Sequence, residues 1–214
     1  MKNSGILVLL LLACVVVVGG PAYADTFYWP NDDTFTYQAG TGTNFDGQGL
    51  LVKSQTGSRR YSWLEFTLGN DSVSEAKLYV CFYSIPSGWG TSHTLQFAAN
   101  EYSFDETLLK WNNQPDTTLW TIIPGWTAKT ADLGKYLSAD ITSFYNSNLG
   151  KTVTFKMYQT DSGSVGGAYE DREGYRGTTN YPYISAKVVP EPSSLLALAC
   201  GCIGLTGLVR RHRS

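Results

Sequence analysis

Oxygen-bearing side chains form short clusters near residue 40 of this sequence. Asn31-Asp-Asp33 and Asn44-Phe-Asp46 each place several carboxylate or amide oxygens within a few residues. Hard oxygen donors of this kind are the ligands that Ca²⁺ takes in loops, and solvated turns rich in Asp and Asn explain the same residues equally well. A structural Ca²⁺ is therefore one hypothesis, and no other cofactor is expected. The candidate metal ligands are Asp32, Asp33, Asn44 and Asp46.

Tryptophan and arginine side chains provide a second kind of chemistry. Flat aromatic faces pack on the apolar C–H face of a pyranose ring, while arginine donates hydrogen bonds to hydroxyl and carboxylate groups. Three tryptophans lie in segments rich in turn-forming residues, where loops usually display binding groups. Each of them can equally be part of the core or fill a loop. The candidate carbohydrate-binding residues are Trp89, Trp120, Trp126, Arg59, Arg60 and Arg172.

Groups that would carry catalysis are sparse. His93 is the only histidine between residues 25 and 189, and its position just before a predicted strand indicates a solvent-facing loop residue. Nucleophile elbows, paired metal-binding histidines and phosphate-binding loops do not occur in the sequence. Cleavage of a glycosidic bond needs a pair of carboxylates, and no such pairing is visible. We therefore expect a protein that is not an enzyme.

Alternating apolar and polar residues predict the elements that position these groups. Leu64, Phe66 and Leu68 share one face of a strand, while Tyr61 and Trp63 share the other. Clusters of Gly, Ser, Asn and Pro separate such runs, which favours a single all-β domain, an antiparallel β-sandwich or jelly roll. One short helix is predicted at 141–146. The predicted strands are 34–37, 50–55, 61–68, 76–83, 94–99, 153–158 and 183–188.

The charge balance of this domain, residues 25–188, limits its partners. It carries 12 Lys and Arg against 17 Asp and Glu, a net charge of about −5. A nucleic-acid partner would need a basic face, so none is expected. Cys81 is the only cysteine of the domain, which excludes an intrachain disulfide within it. Its place on a predicted apolar strand indicates a small buried side chain.

The N-terminal end predicts a secretory signal peptide. Lys2 provides the positive start, residues 6–18 the apolar stretch, and Ala22-Tyr-Ala24 a small-x-small cleavage site. Signal peptidase would cleave after Ala24, so residues 1–24 are assigned to the signal peptide. The mature chain is then exported.

The C-terminal end predicts a weak membrane anchor. Residues 195–209 carry no charge and are a marginal length for a membrane-spanning helix, and the arginines that follow would stay in the cytoplasm. Just before them, Pro190, Glu191 and Pro192 are extended, because proline fixes its own φ and restricts the residue before it. An extended, exposed tripeptide beside a membrane is a segment that a protease can bind.

This order of Pro-Glu-Pro, apolar helix and basic tail over residues 189–214 closely resembles the PEP-CTERM sorting signal of Gram-negative bacteria. The resemblance implies processing by a membrane-embedded exosortase near Pro190, Glu191 and Pro192. It also implies only transient contact with the inner membrane, and a final location at the cell surface or in the extracellular matrix of a host that makes exopolysaccharide. An ordinary single-pass anchor is the alternative.

Several short pieces of the domain match a known family in the family's order. They are Asn44-Phe-Asp-Gly47, Arg60-Tyr-Ser-Trp-Leu-Glu-Phe66, Ser74-Glu-Ala-Lys-Leu-Tyr79, Trp111-Asn-Asn-Gln-Pro115, Asp140-Ile-Thr142, and Asp171-Arg-Glu-Gly174 leading to Tyr181-Pro-Tyr-Ile184. With these pieces, residues 44–188 resemble the DNRLRE or disaggregatase-related domain, which is also classed among carbohydrate-binding modules. Glu65 and Lys110 depart from that pattern, where a basic residue and a threonine are usual. The resemblance implies a β-sandwich that holds polysaccharide.

These observations together predict an exported, exosortase-processed surface or matrix protein that binds polysaccharide without cleaving it, in an exopolysaccharide or biofilm matrix. Two alternatives remain open. One is a purely structural surface or biofilm protein without a glycan pocket, and the other is a polysaccharide hydrolase or lyase.

Overall fold

Short strands joined by glycine-rich turns make up most of the described chain. A computed structural model describes residues 24–174 and 179–189, which contain the short helix α1 (Thr142–Ser147) and 3₁₀ turns at Gln38–Gly40, Trp111–Asn113 and Thr130–Asp132. The strands are β1 (Ala24–Tyr28), β2 (Asp32–Tyr37), β3 (Leu50–Lys53), β4 (Arg60–Thr67), β5 (Val73–Ser84), β6 (Ser92–Asn100), β7 (Thr121–Lys129), β8 (Lys135–Asp140), β9 (Thr152–Gln159), β10 (Gly166–Tyr169) and β11 (Tyr183–Val188).

The strands pair in the order β1-β11-β5-β10-β3-β4-β9-β6-β7, with β2 added to β4 and β8 added to β5. Every pair with a defined register is antiparallel, including β4 with β9 and β6 with β7. Residues Asp25–Lys187 form one compact unit. The all-β antiparallel prediction is therefore confirmed, and the arrangement is consistent with a β-sandwich.

Strand β4 lies between two apolar layers, because its side chains alternate between the faces of the sheet. Leu64 and Phe66 are fully buried on one face, and Phe66 packs edge-to-face on Phe155 of β9 with ring centroids 6.0 Å apart. On the other face, Trp63 is also fully buried, and its indole nitrogen donates to the Thr36 hydroxyl at 3.1 Å. Both faces of this strand are thus covered by protein.

The cover over Trp63 is residues 101–120, which we call the covering segment. It contains no strand, yet Phe104, Leu109 and Trp120 of this segment pack around Trp63 in a small apolar cluster. Glu65 holds the segment in place, because its buried carboxylate accepts the Phe104 N–H at 2.9 Å. The sequence departure at Glu65 therefore has a structural role.

The structure confirms the predicted strands, which correspond to β2, β3, β4, β5, β6, β9 and β11, and the predicted helix corresponds to α1. Strands β1, β7, β8 and β10 were not predicted. Strand β7 contains Pro124 and Gly125, which interrupt the alternating pattern. A proline is tolerated there because β7 ends the strand order, and an edge strand can lack one backbone donor.

Two predictions about single residues were wrong. His93 lies within β6 and is only 1% exposed, so it is not a solvent-facing loop residue. Trp126 lies inside β7, and is therefore in a strand instead of a turn-rich segment. The prediction that Cys81 is buried is confirmed.

The two chain ends fall mostly outside the described residues. The predicted signal peptide, apart from Ala24 at the start of β1, lies there, as do Pro190, Glu191, Pro192 and the apolar residues 195–209. Across residues 24–174 and 179–189, none of the helices has the length and apolar character needed to span a membrane.

Candidate functional site

A cavity of about 460 Å³ lies where β4 begins and β9 ends. Ser62 of β4 pairs with Met157 of β9, and this register brings Tyr61 and Tyr158 to neighbouring positions. Both tyrosines line the cavity. Its remaining lining is formed by residues 54–56, Arg59 and residues 159–164.

Hydrogen bonds between the two loops fix the walls of this cavity. Ser54 donates to the carbonyl oxygen of Gly163 at 2.7 Å, and Ser164 donates to the side-chain oxygen of Gln55 at 3.2 Å. These bonds join the loop after β3 to the loop after β9. The cavity is therefore preformed by side chains that the loops themselves supply.

Two charged groups line the cavity. Arg59 is exposed, and within the described residues its guanidinium has no ion pair. Asp161 is the only carboxylate among the described lining residues, and it accepts hydrogen bonds from the Thr94 N–H and from the Gln159 side chain. Arg59 is thus available for a ligand, whereas Asp161 is already engaged in positioning its loop.

A lysine and three aromatic rings form a layer beside the cavity. Trp111 of the covering segment stacks on Tyr61 with centroids 5.1 Å apart, and the Lys156 ammonium lies 4.1 Å from the Tyr61 centroid and 5.7 Å from that of Tyr158. Burial lowers the pKa of Lys156 to about 8. The Lys156 ammonium also donates to the Thr117 hydroxyl at 3.1 Å. Cation–π contacts of this kind hold a positive charge near the tyrosines.

A second cationic group lies on the opposite side of β4. The Arg60 guanidinium lies 4.0 Å from the Tyr37 centroid and 4.9 Å from the Trp89 ring, and the Lys53 ammonium also lies 4.9 Å from that ring. Burial lowers the pKa of both Arg60 and Lys53. The candidate binding residues Arg60 and Trp89 therefore lie in contact with each other, and neither belongs to the cavity lining.

Carboxylates from four separate segments converge at another point of the domain. Arg172 is at the centre of this group, which we call the acidic cluster. Its guanidinium contacts Glu106 at 2.6 Å, Glu173 at 2.7 Å and Asp32 at 3.4 Å. The members of the acidic cluster are Asp32, Asp33, Asp46, Glu106, Asp171 and Glu173.

Asp33 is one of the two most buried carboxyl groups among the described residues of the acidic cluster. It is 1% exposed, one of its oxygens accepts the Arg172 backbone N–H at 2.6 Å, and its Oδ1 has no hydrogen-bond partner within the described residues. Burial raises the pKa of Asp33 well above its usual value, and Glu173 and Asp171 raise it further. Burial is also the main cause of the raised pKa of Asp32 and Glu106.

Neighbouring loops are fixed to the acidic cluster by side chains. Asn44 donates from its amide to the carbonyl oxygens of Glu106 and Leu109, and its side-chain oxygen accepts the Asp46 N–H at 3.0 Å. Asp171 accepts the Gly49 N–H at 2.8 Å. The predicted metal ligand Asn44 therefore holds the loop together instead of presenting a free oxygen.

The structure distributes the predicted carbohydrate-binding residues over several places. Arg59 lines the cavity, whereas Arg172 is occupied by carboxylates of the acidic cluster. Trp120 is 8% exposed and packs edge-to-face on Trp63, so its ring belongs to the core. Trp126 is half-buried and donates to the Tyr169 hydroxyl at 3.4 Å.

Sequence reasoning missed Tyr158 and Lys156, which lie at and beside the cavity, and did not assign Tyr61 to a site. A usable indication was present, because Tyr61, Lys156 and Tyr158 alternate with the apolar residues Leu64 and Phe66 of β4 and Phe155 and Met157 of β9. An aromatic residue and a lysine that alternate with buried residues near a strand end are candidates for ligand contact.

A further surface is rich in exposed aromatic rings. Phe27 is 53% and Trp29 is 55% exposed, and both rings contact Tyr183. Tyr183 also stacks on Tyr79 with centroids 4.7 Å apart. We call this surface the aromatic face. Its members are Phe27, Trp29, Tyr79, Tyr136, Tyr181 and Tyr183.

The cavity between the two loops is concave, is already formed by the protein's own hydrogen bonds and carries two tyrosines among polar groups, as ligand sites do. The chain matches the model of carbohydrate-binding module family 96 over residues 24–181, and it therefore belongs to that family. A search of curated proteins finds no match.

Proposed function

We propose that this protein binds a polysaccharide chain in the cavity lined by Arg59, Tyr61 and Tyr158, without cleaving it. Membership of a carbohydrate-binding module family supports carbohydrate as the ligand class. The location rests on the preformed cavity, in whose lining the Arg59 guanidinium has no ion pair with any residue that the structure describes. Hydroxyl and amide groups of the two loops would bond to sugar hydroxyls.

The positive groups of the site favour a polysaccharide that bears carboxylate or sulfate groups. Arg59 lines the cavity, and Lys156 lies within cation–π distance of both lining tyrosines. The domain as a whole is acidic, so a basic site would concentrate an anionic ligand at one place on the surface. Arginine in particular binds planar carboxylates through two parallel hydrogen bonds.

The lining of the cavity supports binding without hydrolysis. A glycosidase needs two carboxyl groups that flank the scissile bond. Asp161 is the only described carboxylate that lines the cavity, and its Oδ2 accepts hydrogen bonds from the Thr94 N–H and the Gln159 side chain. A single engaged carboxylate does not meet the requirement.

We also propose that the chain is exported and processed by an exosortase for a role at the cell surface or in the exopolysaccharide matrix. The sequence supports this through the signal-peptide pattern that ends at Ala24 and the tripeptide at 190–192 before an apolar, basic tail. Intact mass spectrometry of the native protein tests it. The expected product begins at Asp25 and lacks residues 195–214, and a product that retains them would contradict the proposal.

Affinity electrophoresis with the full-length protein tests the binding site. Soluble polyuronates and sulfated polysaccharides are compared with neutral glucans of similar length. Arg59→Ala is expected to weaken binding at least about fivefold, because central interface residues carry most of the energy. Lys129→Ala is the matched control, since it removes an exposed positive charge from β7.

A third variant separates the cavity from the aromatic face. Trp29→Ala removes an exposed ring that lies outside the cavity lining, and it is expected to leave binding unchanged. Loss of binding in Trp29→Ala with full binding in Arg59→Ala would move the site to the aromatic face. No saturable retention of the wild-type protein by any polysaccharide would instead favour a purely structural surface protein.

A further inference from the structure

We propose that Lys53 and Arg60, which we call the cation pair, bind one oxyanion of the carboxylate or sulfate type beside Trp89. None of these three residues lines the cavity, so the proposal does not depend on polysaccharide binding there. A free anion and an acidic group carried by a polysaccharide share the chemistry that such a site recognises.

The register of the strands places the cation pair side by side. Lys53 of β3 lies directly opposite Arg60 of β4, so the two side chains leave the same face of the sheet. Like charges at directly opposed positions of neighbouring strands repel each other and destabilise a sheet. The domain therefore keeps this pair against its own repulsion, which a bound anion would offset.

Among the residues that the structure describes, no carboxylate forms an ion pair with either member of the cation pair. Exposed cations such as Lys135 and Lys151 do have carboxylate partners. Burial lowers the pKa of both Lys53 and Arg60, and Tyr37 raises them only in part. Carboxylates outnumber cations in the domain, so this lack of a counter-charge is not a matter of composition.

Hydrogen-bond donors of the cation pair are left without acceptors. Lys53 is only 8% exposed, and within the described residues its ammonium, which carries three N–H donors, makes one hydrogen bond, to the Ser58 hydroxyl at 3.3 Å. The Arg60 Nε is buried and has no hydrogen-bond partner in the same part of the chain. Nearly all buried donors in folded proteins have a partner. An oxyanion supplies acceptors and negative charge together.

Two aromatic rings hold the Arg60 guanidinium without neutralising it. Its central carbon lies 4.0 Å from the Tyr37 centroid and 4.9 Å from that of Trp89, which are cation–π distances. A guanidinium donates from its edge, where two parallel N–H groups match two oxygens of a carboxylate or a sulfate. This match favours an oxyanion over a spherical ion such as chloride.

Strand β10 holds Trp89 over the cation pair. Gly166 lies opposite Lys53, and its N–H donates to the Trp89 carbonyl oxygen at 3.1 Å. A Cβ on Gly166 would lie 2.8 Å from the indole ring, so a larger residue would displace the ring. The Lys53 ammonium lies 4.9 Å from the centroid of the same ring. Residues of several strands therefore build this site in the absence of a ligand.

Thermal unfolding of the full-length protein in sodium sulfate tests the site, with sodium chloride added to keep the ionic strength constant. At a sulfate concentration of about ten times the Kd, the melting temperature of the wild type should rise by roughly 3–6 °C. Lys53→Met removes one charge with little change of size. It should lose this rise and keep only the general stabilisation that sulfate gives by exclusion from protein surfaces.

Two further variants locate the anion. Lys129→Met makes the same chemical change at an exposed position of β7 and should respond to sulfate as the wild type does. Arg60→Lys keeps the charge but loses the planar donors, and should weaken sulfate binding at least about fivefold. An equal rise in Lys53→Met and the wild type would overturn the proposal. If Lys53→Met does not fold, wild-type sulfate affinity in Arg60→Lys would overturn it instead.

Affinity electrophoresis with a sulfated polysaccharide identifies the source of the anion. Weaker retention of Lys53→Met than of the wild type would assign the site to an acidic group on the polysaccharide. Unchanged retention, together with the loss of the sulfate-induced rise, would assign it to a free anion, and either result supports the site. Arg59→Ala should keep the full sulfate-induced rise, so a failure of the cavity and a failure of this site are distinguishable.

Discussion

Protonation of His93 should make the domain less stable in mild acid. The imidazole is 1% exposed, and its Nε2 forms a hydrogen bond with the Tyr169 hydroxyl at 2.7 Å. Its Nδ1 has no hydrogen-bond partner within the described residues. Burial lowers the pKa of His93 from 6.5 to about 4, and Asp161 opposes this only partly. The folded domain therefore keeps a neutral His93 at pH values where the unfolded chain would already be charged.

The sign and size of the effect follow from linkage. Well above pH 6.5, His93 is neutral in both the folded and the unfolded state and does not affect the free energy of unfolding. As the pH falls from 6.5 to about 4, only the unfolded state takes up the proton, so stability is lost. Between pH 7.5 and 5 the loss attributable to His93 is about 2 kcal/mol. For a domain of this size, a loss of about 2 kcal/mol lowers the melting temperature by roughly 4–8 °C.

Urea unfolding of the wild type and of His93→Gln at pH 7.5 and pH 5 measures this quantity. The substitution itself changes the free energy of unfolding by the same amount at both pH values. Any change of the difference between the two proteins from pH 7.5 to pH 5 is therefore due to protonation of His93. Carboxylates with raised pKa values, such as Asp33, change stability in the opposite direction and cancel in the comparison. Equal pH dependence in the two proteins would refute a buried, neutral His93.

Three further outcomes are expected. Gly125→Ala should lower the free energy of unfolding by about 1–3 kcal/mol, because the new Cβ would lie 2.6 Å from a backbone carbonyl oxygen of β6. Gly42 has open space around it, so in the same urea titration Gly42→Ala should change the free energy of unfolding by no more than about 0.5 kcal/mol. Glu65→Ala should lower the free energy of unfolding, measured by chemical denaturation, by about 1–3 kcal/mol, because it leaves the buried Phe104 N–H without an acceptor. An unchanged denaturation midpoint would contradict this structural role of Glu65. Lys156 has a pKa of about 8 and loses its charge between pH 7 and pH 9, so polyuronate binding should weaken about two- to fivefold over this range. Lys156→Met should abolish this pH dependence.

Local sequence patterns were sufficient for most of the fold. Strands β4 and β9 carry apolar residues at every second position, such as Leu64 and Phe66 in β4 and Val153, Phe155 and Met157 in β9, and this period is a property of a few neighbouring residues. Strand β10 has the sequence Gly-Gly-Ala-Tyr, all four residues of which are buried, so it shows no alternation. Gly166 and Gly167 are required there by close contacts that no local pattern encodes. Their Cβ atoms would lie 2.2 Å from Val52 and 2.3 Å from His93.

The sites depend on contacts across long stretches of sequence, which explains why they were predicted only in part. Asp33 and Arg172 are 139 residues apart in sequence, yet a backbone N–H of one binds the carboxylate of the other. The sequence clusters at 31–33 and 44–46 identified one side of the acidic cluster. The other side comes from Glu106 and the loop after β10, whose carboxylates resemble those of any solvated turn.

The covering segment gives this domain a region suited to protein engineering. Residues 101–120 take part in no strand pairing, so substitutions at their exposed positions remove no hydrogen bond between strands. Side chains at 112, 113, 116, 118 and 119 are exposed, and Leu119 is 95% exposed. The same segment supplies Trp111 and Thr117 to the layer beside the cavity. A randomised library confined to the exposed positions would vary the surface next to Trp111 and Thr117, while Phe104, Leu109 and Trp120 keep the segment attached to the scaffold.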